Sequence, residues 1–366
     1  MFKSMGLKSL IYKRRRVKLL NLACKKGYNA VLVSSPQNIF YLTNYWGEGY
    51  LLIDFSKTSL IVPKLEYERA KTEAIDVDIV KAERGSTMLE NVKKLAMGYK
   101  LCTDNLPTNT FLSLSSLLPN RISLELEIFE KARIIKDDQE ISTLIRGGEI
   151  MDKLFTYVLE ILKPGITERA LAAYIVSEMM RLKSDPVIHY QTSFSPVIVA
   201  SGPNSSLPHA TVTDRVIERG DFVIVDIILR YNGYVVDATR TFHVGKADNR
   251  KLRHYEAVLN AQLKGVRYAV PGRKAGEVDR IVRKCLEDSG LSDFFIHSTG
   301  HGIGLDVHEP PWIRPNENIS LERGMAITVE PGIYVPNRYG VRIEDSIIVS
   351  DPPLILTRFT KMLTEV

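Results

Sequence analysis

Residues 222–244 read FVIVDIILRYNGYVVDATRTFHV, and this stretch decides the fold of the larger part of the chain. Two runs of β-branched and apolar residues flank Asn232-Gly233, the strongest short-range signal for a β-hairpin. A two-residue turn there pairs Tyr231 with Tyr234 and Asp226 with Thr239. Asp237 then becomes the diagonal neighbour of Asp226 on one face, and diagonal side chains stand roughly 7–8 Å apart, close enough to share an ion or a close ion pair. The two aspartates are out of character with their surroundings. A lone carboxylate in such a run is buried at a cost of several kcal/mol or takes up a proton.

The same anomaly recurs downstream. MAITVEPGIYV (325–335) carries Glu330 and YGVRIEDSIIV (339–349) carries Glu344, on either side of the turn-rich Pro336-Asn337-Arg338-Tyr339-Gly340. A loop centred on Asn337 sets Glu330 opposite Glu344. Four acids inside strand-like runs call for a shared cationic partner, and a pair of divalent metal ions is the simplest one. A fifth candidate is His301, in His297-Ser-Thr-Gly-His301-Gly-Ile-Gly-Leu-Asp-Val-His308-Glu. Glycines on both sides allow the backbone to approach a bound group closely. Three of the seven histidines fall in this segment, and His209 follows Pro208 in another polar loop. Four carboxylates with one imidazole make an oxygen-rich site, which favours Mn²⁺ or Co²⁺ over a thiolate-type zinc site.

The organisation contains a repeat. Residues 137–162 read as a helix, Lys163-Pro164-Gly165 breaks it, and Thr167 caps a second helix through about Arg181. About 107 residues later the pattern returns: a helix over 250–269, a stop at Pro271-Gly272, and a helix from Gly276 to Asp288. Each helix pair precedes strand-like sequence, 194–245 and 296–350. The reading is two helix–helix–sheet halves that place one site on a curved sheet backed by helices. Ahead of them, strand-like runs (Ala30–Val33, Leu51–Ile53, Ser59–Val62, Lys100–Thr103) alternate with helix-like ones (Tyr67–Ala74, Thr87–Ala96), an α/β pattern. The linker falls near Glu130–Lys136, giving domains 1–130 and 131–366.

Asp226, then Asp237 with Ala-Thr-Arg-Thr, then GHGIGLDVHE, VEPGIY and GVRIED follow in order the motifs of the pita-bread metallopeptidases. Within that family the chain resembles Xaa-Pro dipeptidases (prolidases) and Xaa-Pro aminopeptidases, strongly over 131–366. SSPQNIFYLTNYWG (34–47) is similar to the family's N-terminal domain. The resemblance implies an α+β protein: a C-terminal pita-bread domain with a pseudo-twofold repeat, behind a smaller creatinase-like α/β domain. It implies that Asp237 and Glu344 bridge two ions, that Asp226 completes one shell, and that His301 and Glu330 complete the other. Hydroxide formed between the ions attacks the peptide carbonyl. Glu330 relays a proton to the leaving nitrogen. His308 and His209 steady the carbonyl or oxyanion, and His297 lines the substrate pocket with them. Arg342, also expected beside the substrate, orients a carboxylate ligand. Dipeptides ending in proline are the expected substrate, with longer Xaa-Pro peptides as the alternative, and a homodimer is the expected assembly.

Two departures stand out. Ile228 and Val236 replace the Gly and Ser of many relatives. Trp312 stands where dipeptidases often carry an Arg for the substrate carboxylate, with Arg314 as the nearest substitute. Among rivals, a non-catalytic binding protein of this fold and a metal-free creatine-type hydrolase are both disfavoured, because all five ligand positions are filled.

Composition adds bounds. With 366 residues, 45% apolar and 25% charged, the chain is an ordinary globular protein of two domains. No apolar stretch reaches the roughly 18 residues of a membrane span. The cysteines Cys24, Cys102 and Cys285 are odd in number and far apart, so burial of each and a reducing, cytoplasmic setting are expected. The net charge of +6 is concentrated: residues 1–47 hold nine Lys/Arg and no acid. The cluster Lys13-Arg14-Arg15-Arg16-Val17-Lys18 reads as the solvated face of a first helix, with a nucleic-acid or transit role as the alternative. No apolar core of a secretory signal follows it. Neither a nucleic-acid nor a membrane partner is expected.

Overall fold

A computed structural model describes residues 2–188 and 195–366, with side chains of the first helix described from residue 9 onward. The chain divides into two compact units, Met1–Arg133 and Ile134–Val366.

The first unit is built on a six-stranded mixed sheet in the order 78–82, 58–63, 50–53, 30–33, 101–103, 122–124. Its four-residue central strand Ala30–Val33 is wholly buried, as a strand covered on both faces must be. The segment similar to the family's N-terminal domain forms the helix Pro36–Thr43. Ser35 caps it by accepting from the Asn38 amide, and Asn44 closes it at φ 70°.

The basic cluster is not the solvated face expected of it. Lys13 and Arg14 are exposed, but Arg15 and Arg16 are both buried, at 4% exposure. Arg15 Nη1 donates to the Tyr41 carbonyl at 3.1 Å, and Arg16 Nη1 donates to the Leu42 carbonyl at 3.0 Å. Arg16 also pairs with Asp76 at 2.5 Å. The two guanidiniums satisfy the last carbonyls of the 36–43 helix and lie at the negative end of its dipole. Composition counted the charges but carried no information on these distant carbonyls. Cys24 is likewise exposed, contrary to expectation, whereas Cys102 and Cys285 are buried.

The second unit shows the duplication in its hydrogen bonds. The first helix pair spans Asp138–Ile161 and Glu168–Arg181, and the second spans Asn249–Tyr268 and Ala275–Asp288. Asp137 and Glu140 close a capping box on the first helix, and the Thr167 hydroxyl caps the second. Gly165 and Gly272, each after a proline, take φ of +94° and +88°, a conformation that glycine reaches without strain. The Gly165 amide donates to the Ile217 carbonyl, and the Ile217 amide returns to Ile166. Gly272 and Leu321 repeat this exchange with Arg273. The pairs Glu168–Arg215 and Arg169–Thr213 recur as Ala275–Ile319 and Gly276–Glu317. The two halves are therefore the same supersecondary unit.

Both hairpins keep the register read from sequence. Strands Phe222–Tyr231 and Tyr234–His243 pair Tyr231 with Tyr234 and Asp226 with Thr239, about a turn with Asn232 at φ 45° and Gly233 at φ 86°. In the second half, Val335 pairs with Tyr339 and Gly332 with Arg342 on one side of a break, and Val329 with Asp345 on the other. Glu330 and Glu344 face each other in that break. Their amides leave the ladder, Glu330 donating to the Thr299 carbonyl and Glu344 to the Thr239 carbonyl. The strand-like stretch expected over 194–245 opens at Phe194, which lies outside the described residues; its first described strand is Val197–Ser201.

The helices back this sheet closely. At Gly147 of the 138–161 helix, an added methyl would come within 2.7 Å of Val236 Cγ2. Val236 thus packs on the helix and not into the site. The second pair of helices buries Val258, Ala261, Val282 and Leu286 against Ile333, Val341 and Ile343.

Candidate metal and substrate site

Side-chain alternation along the two hairpins brings the acids to one face of the sheet. Asp226, Asp237, Glu330 and Glu344 line one cavity of about 290 Å³ together with His209, His297, His301 and His308. Ligand atoms of Asp237, His301 and Glu344 lie within 4.8 Å of one another. His301 Nδ1 donates to the Gly302 carbonyl at 3.1 Å, which turns Nε2 towards the acids. Nε2 is 3.3 Å from Glu330 Oε1 and 4.0 Å from Asp237 Oδ2.

Asp226 is held differently. Its Oδ2 accepts from Arg342 Nη2 at 2.6 Å, in an ion pair that is almost fully buried. Arg342 Nε reaches Thr239 Oγ1, and its Nη1 reaches the Pro208 carbonyl and the Tyr334 hydroxyl. Burial works against its charge, but Tyr334, Asp226 and Glu330 outweigh it and hold the guanidinium firmly protonated. Although Arg342 lines the cavity, most of its donors are committed to protein partners.

The electrostatics suit the binding of cations. Asp226 Oδ1, Asp237 Oδ1 and Glu344 Oε1 are buried and make no hydrogen bond. Leaving such oxygens unpaired costs about 1–3 kcal/mol each, more when charged. Burial and then the neighbouring Glu344, Asp226 and Glu330 charges push the Asp237 carboxyl well above its usual range. Burial, Glu330 and Asp226 do the same to Glu344, despite a hydrogen bond from Thr239 at 2.8 Å. Burial also pushes Glu330 upward, but the His301 hydrogen bond and the positive charges nearby overcome it and bring Glu330 down to about 2. Divalent cations fit this donor set, since they would satisfy the orphaned oxygens and neutralise the repulsion together.

Several contributors escaped sequence reading. The Tyr334 hydroxyl lies 3.0 Å from His297 Nε2 and accepts from Arg342 at 2.8 Å, which leaves its proton for the imidazole. His297 Nδ1 is 2.7 Å from the Ser298 carbonyl, so both ring nitrogens are engaged and the neutral ring presents its carbon edge to the cavity. Burial lowers the His297 pKa, consistent with that neutral form. Thr328 accepts the His301 amide at 3.1 Å and lies 3.4 Å from Glu330. Period two was the missed signal: Thr328 and Tyr334 stand at even spacing from Glu330, and Thr239 at even spacing from Asp237. Of the two departures from the family pattern near the substrate, Ile228 and Trp312 line the cavity. Arg314 does not line it; its guanidinium pairs with Glu317 at 3.3 Å and lies 5.7 Å from the centroid of the Trp312 ring.

Converging carboxylates and one imidazole, carried on a duplicated hairpin sheet backed by two helix pairs, define a metal-dependent hydrolase of the pita-bread class. Residues 143–351 match the model of metallopeptidase family M24, and residues 15–135 match that of the creatinase/prolidase N-terminal domain. The chain belongs to metallopeptidase family M24. It is 36% identical over 348 residues to an Xaa-Pro dipeptidase from Pyrococcus furiosus, covering 93% of this chain and 96% of that one. Among solved structures, it superposes on an Xaa-Pro dipeptidase from Bacillus anthracis with a TM-score of 0.88 at 32% identity, covering 97% and 100% of the two chains. An X-Pro aminopeptidase from Thermotoga maritima matches with a TM-score of 0.86 at 28% identity, over 96% and 99%. The two-domain fold is that of these peptidases, and the family's chemistry depends on divalent metal ions. No helix among the described residues is long and apolar enough to cross a membrane.

Proposed function

We propose that the protein hydrolyses the Xaa-Pro bond of dipeptides, using two divalent ions, Mn²⁺ or Co²⁺, held by Asp226, Asp237, His301, Glu330 and Glu344. The observation that carries this reading is the set of three buried carboxylate oxygens without partners on the floor of a cavity ringed by histidines. When bound, the ions supply Lewis acidity and make water acidic enough to attack a carbonyl near neutral pH.

The chain's own residues do the rest. Asp237 and Glu344, one from each half, would help to hold the ions, their ligand atoms lying within 4.8 Å of each other. Arg342 holds Asp226 in place and, through Tyr334, fixes the orientation of His297. The carbon edge of neutral His297, with Ile228 and Trp312, forms an apolar wall suited to a pyrrolidine ring. Glu330, ionised at neutral pH, takes the proton released on attack and returns it to the leaving nitrogen. His308 and His209 donate to the substrate carbonyl as charge develops on it. Dipeptides of proline, a cytoplasmic setting and a homodimer complete the proposal.

A second reading is supported by Trp312. An aromatic side chain at that wall does not neutralise a free C-terminal carboxylate, so longer Xaa-Pro-Yaa peptides become the rival substrates. The test is turnover by EDTA-treated protein re-supplied with Mn²⁺ or Co²⁺. Leu-Pro, a Leu-Pro-Yaa tripeptide and a Met-Ala peptide are compared. Cleavage of Leu-Pro supports the dipeptidase, cleavage of the tripeptide alone moves the assignment to the aminopeptidase, and preference for Met-Ala points to methionine aminopeptidase. No turnover by metal-loaded protein refutes the enzyme reading.

A further inference from the structure

Lys136 is a buried lysine that takes no part in the cavity. Its side chain is 1% exposed, and its ammonium donates to Glu309 Oε1 at 2.6 Å. The Glu309 side chain is itself only 8% exposed. Desolvating two such ions costs several kcal/mol each, and apolar replacements of similar volume often leave stability unchanged or improve it. Stability alone therefore does not account for the pair, and its location suggests what does.

Lys136 has a rigid base. Its amide donates to the Gly324 carbonyl at 2.9 Å, and Ile135 forms an antiparallel bridge to Met325, directly before the strand Ala326–Val329 that leads to Glu330. Glu309 opens the strand Glu309–Ile313, pairs with Gly302, and immediately follows His308. Its carboxylate presses into the 302–308 loop: a methyl on Gly304 would come within 2.6 Å of Oε1. The far side of the loop is tied down separately. The Val235 amide donates to the Gly304 carbonyl at 2.7 Å, and Arg230 Nη1 donates to the Leu305 carbonyl at 2.9 Å. The loop is thus held by the Glu309 carboxylate, which Lys136 faces, and by Val235 and Arg230. Its last residue, His308, meets His301 edge-on with ring centroids 4.3 Å apart and lines the cavity.

We propose that Lys136 is a positioning residue which, through Glu309, sets where the 302–308 loop ends and so aims the His308 ring into the cavity. The proposal rests on the assignment of His308 to the substrate carbonyl. Lys136 touches neither substrate nor the five ligands, and removing its influence should change turnover while leaving metal stoichiometry and substrate capture in place.

The experiment compares full-length wild type, Lys136→Met, the double variant Lys136→Met/Glu309→Gln, and His308→Ala. Melting temperature, bound metal per chain, kcat and KM on the active Xaa-Pro peptide are measured, with a crystal structure of the double variant. The single Lys136 variant, which removes the cation facing a buried carboxylate, is expected to melt early. The double variant, with both charges gone and the shape kept, is expected to regain most of that loss. It should bind metal at the wild-type ratio yet keep kcat down about 10–100-fold, the range seen when supporting partners of site residues are lost. KM should change less than kcat, and the His308 ring should be displaced from its edge-on contact with His301. A double variant with kcat near wild type, or with His308 unmoved in its crystal structure, overturns the proposal. Unchanged activity of His308→Ala refutes instead the assignment of His308 to the carbonyl, and the crystal structure then decides the positioning role on its own.

Discussion

Replacing Asp237 with asparagine should stabilise the metal-free protein, although it removes a proposed metal ligand. Asp237 and Glu344 hold ligand atoms within 4.8 Å of each other in a buried site. Two unit charges at that separation repel by about 3.5 kcal/mol at an effective dielectric constant of about 20. The pair can escape by taking up a proton, at about 1.4 kcal/mol for each pH unit above an ordinary carboxylate pKa of about 4. At pH 8 that escape costs about 5.5 kcal/mol, so the repulsion stands; at pH 5 it costs about 1.4 kcal/mol and caps the penalty. The sign follows from linkage. Asp237 and Glu344 have folded-state pKa values raised above their unfolded ones, so the folded protein binds more protons. The stability they contribute is complete below the ordinary carboxylate range and is lost as pH rises through the raised values. Asp237→Asn removes one charge of the pair and, with its amide hydrogens, can donate to Glu344. EDTA-treated Asp237→Asn should therefore exceed wild type by about 3 kcal/mol at pH 8 and by about 1 kcal/mol at pH 5. With saturating Mn²⁺ the order should reverse, because binding to the folded state stabilises wild type by mass action. Chemical denaturation at both pH values, with and without metal, measures all four differences. Equal or lower stability of the metal-free variant at pH 8 would show that the site stores no such repulsion.

Three further outcomes are expected. Arg342→Met leaves Asp226 buried without its cation and removes the donor to Tyr334, and should lower unfolding free energy by about 3–5 kcal/mol in the absence of metal, read by denaturant titration. Gly300→Ala places a methyl against the Thr328 carbonyl, one residue before His301, and should cost about 1–3 kcal/mol in thermal unfolding together with metal affinity measured by calorimetry. In the first unit, Arg16→Met removes the donor to the Leu42 and Ile75 carbonyls, and should raise hydrogen-exchange rates in the 36–43 helix while leaving the metal content of the protein unchanged.

The duplicated helix pairs were legible because helices that pack on one face carry their period locally, and because Pro-Gly stops mark their ends. The first hairpin was legible for the same reason: Asn232-Gly233 specifies its own turn, and a turn of known length fixes the register of every residue beyond it. The second hairpin was only partly legible. Its register is the one read from sequence, but the break at Glu330 and Glu344 depends on the Thr299 and Thr239 carbonyls that draw their amides away. In the first unit, the elements 78–82, 108–117 and 122–124 escaped the reading, because they fully bury only Ala82 and Leu114 and so carry no apolar period.

The sequence by itself determined which groups meet in the cavity: four acids inside apolar runs and a histidine between glycines, anomalies that a cation would reconcile. It also determined which face of each hairpin bears them, because side-chain alternation along a strand is a local property. Only the tertiary structure decided what stands behind those groups. That Arg342 serves Asp226, that Tyr334 turns His297 into a neutral wall, that Arg15 and Arg16 close a helix and not a surface, and that Lys136 meets Glu309 all depend on residues distant in the chain meeting in a desolvated interior. There the partner of a charge is set by packing and by the cost of leaving it unpaired, and neither is written in the neighbouring residues.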